Sequence, residues 1–185
     1  MYKDKYVHDD PEIQLAWETY YQNSEYDKKG QCLVTGKYTN LRRLHPMIKG
    51  VWGSQSSGAS LVSFNASAYE SYGQSGGTGL NAPVSDYAAF AYTTALNYLL
   101  SHSKYVAHIG DLTIVYWSED ANEDYNDIFQ SFFEPTEAST ISQQELNVIV
   151  KSIASGDVVK FNGNELKYNN KFYILGLAPN AARIS

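Results

Sequence analysis

Cysteine occurs once in the 185 residues, at Cys32, so neither an intrachain disulfide nor a cysteine-rich zinc knuckle can be built. No run near 18 apolar residues is present, so no membrane-spanning helix is predicted. Met1-Tyr2-Lys3-Asp4-Lys5 lacks the apolar stretch of a signal peptide. A cytoplasmic protein with no membrane partner is the expectation. The stronger absences concern charge. Between Asp27 and Glu70 there is no acid, and residues 28–69 hold Lys28, Lys29, Lys37, Arg42, Arg43 and Lys49. The chain has 14 bases in all, so eight remain elsewhere against 20 acids. Between Lys104 and Lys151 the reverse holds: acids recur from Asp111 to Glu145 and no base interrupts them. A chain segregated in this way can turn one basic face to a polyanion while its net charge stays at −6. Two blocks of solvated surface would give the same pattern.

Hydrophobic residues make up 43%, enough for a core, and the length suits one domain or one and part of another. The 16 tyrosines fit half-buried faces that meet other molecules, and equally the margins of strands. Asp10-Pro11-Glu12 reads as an N-cap, a proline at the first helical position and a first-turn acid. With Ile13, Trp17, Tyr20 and Tyr21 it predicts a helix over 11–22. Gln31-Cys32-Leu33-Val34-Thr35, ended by Gly36, and Leu61-Val62-Ser63-Phe64-Asn65 read as short strands. Residues 36–60 carry little helical signal, and a long irregular stretch is often functional. Ser75-Gly76-Gly77-Thr78-Gly79 reads as a flexible connector.

Pro83 is expected to open a helix running to about Ser101. Val84, Ala88, Ala91, Ala95 and Leu99 line its inner face, broadened by Tyr92, Leu96 and Leu100. Asp111 to Trp117 predicts a strand, rich in β-branched and aromatic residues. A helix near 122–133 precedes Pro135. Ser142-Gln143-Gln144-Glu145 fits a capping box before an inner face of Leu146, Ile149, Val150 and Ile153, with Gly156 as the stop. Phe172-Tyr173-Ile174-Leu175 is a last strand. Arg183-Ile184-Ser185 begins an alternation that simply stops, so the chain reads as a piece of something longer. Residues 80–185 form the helix and strand core portion, without a firm internal boundary. The fold class is α+β, since helices and strands mix without βαβ regularity.

Catalytic signals are weak. Gly53-Ser54-Gln55-Ser56-Ser57-Gly58-Ala59-Ser60 has the glycine spacing of a phosphate loop, but Ala59 stands where the essential lysine belongs. Gly73-Gln74-Ser75-Gly76-Gly77 spells a nucleophile elbow outside the strand-turn-helix context an elbow needs. His8, His45, His102 and His108 offer no metal spacing, and the acid pairs in 119–127 fit a solvated helix face. No catalytic residue, metal or cofactor is assigned. The better candidate is Leu41-Arg42-Arg43-Leu44-His45-Pro46-Met47-Ile48-Lys49-Gly50. Its aliphatic side chains can anchor the segment while its bases face a phosphate backbone. The candidate nucleic-acid contacts are Lys37, Arg42, Arg43, His45 and Lys49, with Gln55 and Asn65 as amides able to read a base edge and Ser56 and Ser57 letting the backbone approach closely, unless these polar residues only satisfy their own loop.

Three blocks carry a resemblance. The first runs through Cys32-Leu33-Val34-Thr35-Gly36, then Arg43 to Val51, then Gln55 to Asn65. The second runs from Leu80-Asn81-Ala82-Pro83-Val84-Ser85 to Leu99-Leu100, and the third from Phe172 to Ser185. In this order they resemble the CRISPR-associated large subunit of the type I-C (Dvulg subtype) Cascade surveillance complex, and residues 1–185 resemble a middle portion of it. Trp52 and Ser54 depart from the expected basic and small residues, and Lys37-Tyr38-Thr39-Asn40 differs from the usual linker. The resemblance implies a non-catalytic role in antiviral defence: contributing to target duplex DNA binding and recognition of the protospacer-adjacent motif, with sequence beyond that motif read by guide pairing. Its implied partners are the other Cascade subunits, target double-stranded DNA and, indirectly, CRISPR RNA. A scaffold that docks those subunits without touching DNA is the alternative.

Overall fold

Local chemistry sets the first helix. Asp10 Oδ1 accepts the Glu12 N–H at 2.9 Å, and Pro11 sits at the first position of α1, Pro11–Asn23, where no donor is needed. The computed structural model describes residues 6–23, 28–64, 66–69, 80–133, 141–167 and 169–185. The expected connector at 75–79, the Gly73–Gly77 motif, Pro135, Asn65 and the first five residues lie outside these. The fold is α+β, with two compact units: Met1–Ile48 with Ser60–Ala95, and Lys49–Ala59 with Leu96–Ser185. No helix among the described residues is long and apolar enough to cross a membrane.

In the first unit, β1, Lys29–Gln31, and β2, Tyr38–Asn40, form an antiparallel pair. The strand expected at Gln31–Thr35 is displaced, and residues 33–35 are a turn. Gly36 at φ +69 lets the chain reverse, with its N–H on the Cys32 carbonyl at 2.8 Å and the Cys32 N–H on the Lys37 carbonyl. The strand expected at Leu61–Asn65 is also absent over its described residues, where bends and irregular backbone replace it.

Helix α2, Asp86–Leu100, starts three residues later than Pro83 suggests. Pro83 and Val84 give their carbonyls to the N–H groups of Leu33 and Arg42, and Ser85 pairs with Leu41 as a β-bridge. Those partners hold 83–85 extended. The Ser85 hydroxyl then caps the helix, accepting the Ala88 N–H at 3.1 Å. Within the first unit α2 buries Ala88, Ala89 and Thr93, whereas Ala95 is exposed, so the inner stripe is rotated from the expected one. Thr93 Oγ1 donates to the Ala89 carbonyl at 2.7 Å, which hides its hydroxyl. Cys32, Val84, Ala88 and Ala89 make this unit's core, with Tyr92 packed on it.

The second unit is built on β3, Val106–Ile109, β4, Leu112–Ser118, and β7, Phe172–Leu177, in the order β3-β4-β7, all antiparallel. β4 is hydrogen-bonded along both edges. One face carries Ala107, Ile114 and Tyr116 against Phe129 of α3, Glu123–Phe133. On the other face Thr113, Val115 and Leu177 are buried and Trp117 stacks on Tyr173 at 5.3 Å. Helix α4, Gln143–Ser155, has the expected capping box: Ser142 Oγ accepts the Glu145 N–H, and the Glu145 carboxylate accepts the Ser142 N–H. Gly156 ends it in the left-handed region. Of its expected inner face only Ile149 is fully buried, against Ile128, Ile141 and Phe161, while Val150 and Ile153 are exposed. Ile153 instead helps line an apolar cavity of about 560 Å³, with Phe132, Phe129 and Phe172. The short pair β5, Lys160–Phe161, and β6, Asn164–Glu165, follows α4. The alternation at Arg183 is taken up in a hairpin of β8, Pro179–Asn180, and β9, Arg183–Ile184.

Candidate functional site

The basic segment divides between the two units, and its residues have different fates. In the first unit Lys37 and Arg43 are exposed, whereas Arg42 and His45 are engaged. Arg42 Nη1 donates to Asp86 Oδ1 at 2.6 Å and its Nε donates to the Leu44 carbonyl at 2.8 Å. Asp86, the first residue of α2, is 3% exposed, so the guanidinium supplies the partner this buried carboxylate needs. His45 is buried, and its Nδ1 lies 2.7 Å from the Tyr92 hydroxyl. It does not reach the surface to meet a phosphate; it ties the segment to α2.

Burial and the nearby Arg42 guanidinium hold His45 below the usual histidine value, and burial raises the Tyr92 phenol. The linkage has a definite sign. Above the unfolded value near 6.5 both states are neutral and the full stability is present; as pH falls below it, the unfolded chain takes up a proton that the folded site refuses. Urea unfolding between about pH 7.5 and 5.5 is expected to show stability falling toward acid, with a shallower fall in His45→Gln. Equal slopes would remove His45 from the account.

Cys32 lies beside this cluster with its Sγ 3.2 Å from the Ser85 N–H and 3.5 Å from the Thr35 N–H. Burial raises the thiol, and the hydrogen bonds from Ser85 and Thr35 outweigh it, giving a value of about 6. The sulfur serves as an acceptor where α2 begins.

In the second unit residues 49–59 form a pinned loop. The Lys49 N–H donates to Asn97 Oδ1 at 2.8 Å, the Trp52 N–H to Thr113 Oγ1 at 3.0 Å, and the Gln55 N–H to the Ala181 carbonyl at 3.1 Å. Gly53, at φ +75, is seated so that a Cβ would lie 3.3 Å from Pro179. Ser54 serves its own loop, donating its hydroxyl to the Val51 carbonyl. Gln55, Ser56 and Ser57 are exposed, and among the described residues their side chains have no hydrogen-bond partner. Lys49 is exposed as well, while Asn65, the second amide expected to read bases, lies outside the described residues.

Sequence reasoning singled out Trp52, as a side chain able to stack on a base or sugar, but missed Asp86 and the placing of His108 beside Trp52, with the two rings 5.7 Å apart. Asp86 had a signal: it is the one acid between Glu70 and Asp111. Among the described residues no group of three acids, histidines or cysteines is placed to hold a metal.

The exposed bases, Lys28, Lys29, Lys37 and Arg43 in the first unit and Lys49 in the second, carry the charge that a polyanion attracts. The comparison with protein families gives the class: the matching family model describes a CRISPR-associated protein. The match extends over residues 1–185, and the chain belongs to the Cas_Csd1 family. No match was found among the curated proteins.

Proposed function

We propose that the chain is the DNA-recognition part of the large subunit of a type I-C Cascade complex, engaging duplex DNA at the protospacer-adjacent motif without catalysis of its own. The observation that carries this reading is that the acid-free stretch 28–69 keeps Lys28, Lys29, Lys37 and Arg43 exposed in the first unit and Lys49 exposed in the second, where the side chains of Gln55, Ser56 and Ser57 have no hydrogen-bond partner among the described residues. The bases would position the duplex by its phosphates. The loop amide would read a base edge. Family membership supports a place in a CRISPR system beside other CRISPR-associated subunits.

The test uses the assembled complex. Arg43→Ala and Lys49→Ala, measured singly, are each expected to flatten the log K against log salt slope by about 0.9. Losses should be alike on targets with and without the adjacent motif. Gln55→Ala is expected instead to narrow the discrimination between those targets while guide pairing persists. Unchanged slopes and unchanged discrimination would favour the scaffold. One observation already leans that way: the first unit uses Arg42 and His45 for its own packing.

A further inference from the structure

Trp52 is 65% exposed, although tryptophan is among the side chains that gain most from burial. Its position is not slack. The backbone on either side is fixed, by the Trp52 N–H on the fully buried Thr113 and by Gly53 against Pro179. His108 of β3 faces Thr113 of β4 in register, so the residue that anchors the Trp52 backbone also sets the place of the imidazole beside the indole. The rings are tilted by 58° with centroids 5.7 Å apart, and both residues are exposed. The fold thus holds two aromatic planes together at the surface without covering them. Lys49 lies three residues before Trp52 and Gln55 three after, and no acid occurs between Asp27 and Glu70.

We propose that Trp52 and His108 form a stacking platform for an unpaired nucleobase. This rests on the DNA-recognition reading above and adds a ligand to it: a base freed from its pair, held by its face rather than its edge. Every base has a π-face, so such a platform is sequence-tolerant. A cation such as Lys49 nearby suits the phosphate that accompanies the base. Lys49 and Gln55, the exposed polar residues on either side of Trp52 in sequence, suit a nucleotide better than a protein neighbour, while Ile109 and Asp111 are the exposed residues beside His108.

The experiment compares two probes on the assembled complex: a short duplex with a central thymidine bubble not complementary to the guide, and the same duplex fully paired. Trp52→Ala is expected to weaken binding to the bubble by about 5- to 20-fold and to leave the paired duplex unchanged. Trp52→Phe should retain most of the affinity, and His108→Ala should show a smaller loss confined to the bubble. Unchanged bubble affinity in Trp52→Ala, or an equal loss on both probes, overturns the platform while the DNA reading stands. Failure of Trp52→Ala to assemble with its neighbouring subunits assigns the face to protein and also overturns it. If the native complex binds neither probe, the DNA reading itself falls.

Discussion

Tyr116→Ala is expected to remove about 3–5 kcal/mol of stability from the second unit. Tyr116 is fully buried in the middle of β4, and its ring packs on Phe129 at 4.7 Å and on Phe172 at 6.2 Å. Truncation forfeits the transfer energy of the ring and leaves a void that β4 cannot close, because β3 and β7 hold it on both edges. Tyr116→Phe keeps the ring and should cost far less than the alanine substitution. Urea unfolding followed by tryptophan fluorescence suits the measurement, since Trp52 and Trp117 both lie in this unit. A loss below about 1 kcal/mol for Tyr116→Ala would mean that the aromatic cluster is not the unit's core.

Arg42→Ala is expected to destabilise the first unit by about 2–4 kcal/mol. The mechanism is the stranding of Asp86. Its Oδ1 would lose the guanidinium, and its Oδ2 is already buried without a partner among the described residues. Two things moderate the loss: Arg42 is about a third exposed, so solvent screens the pair, and Asp86 sits at the positive end of α2. In an Asp86→Asn background the same substitution should cost much less, and that coupling separates the ion pair from the packing of the arginine stem. Equal costs in both backgrounds would refute the pairing argument. Because Arg42→Ala perturbs the fold, Arg43 and Lys49 are the cleaner probes of DNA contact.

Helices α1, α3 and α4 were legible within a residue or so because their signals are local. Asp10 with Pro11, and Ser142 with Glu145, act within one turn. β4 and β7 were legible because their β-branched and aromatic runs meet partners that bury them. Strand state is otherwise decided by a distant neighbour. Cys32–Thr35 and Leu61–Phe64 have strand-like composition but no ladder, while Val106–Ile109 has a weak pattern and becomes β3 by pairing with β4. α2 starts late for the same reason, since Leu41 and Arg42 occupy the backbone just before it. The charge window of the candidate site was visible in the sequence. Which of its charges remain outward was not, because Asp86 lies 44 residues from Arg42 and Tyr92 lies 47 from His45.

The tethers of the loop at 49–59 determine when its disorder is lost. A free loop of this length would surrender backbone freedom at the moment of recognition, at about 1–2 kcal/mol per residue fixed. Here that loss is met during folding, when Asn97, Thr113 and Ala181 capture the backbone. A ligand of the kind proposed for Gln55 or Trp52 would have mainly side-chain rotamers left to restrain. More of its contact energy would then be retained as affinity, as preorganisation generally allows.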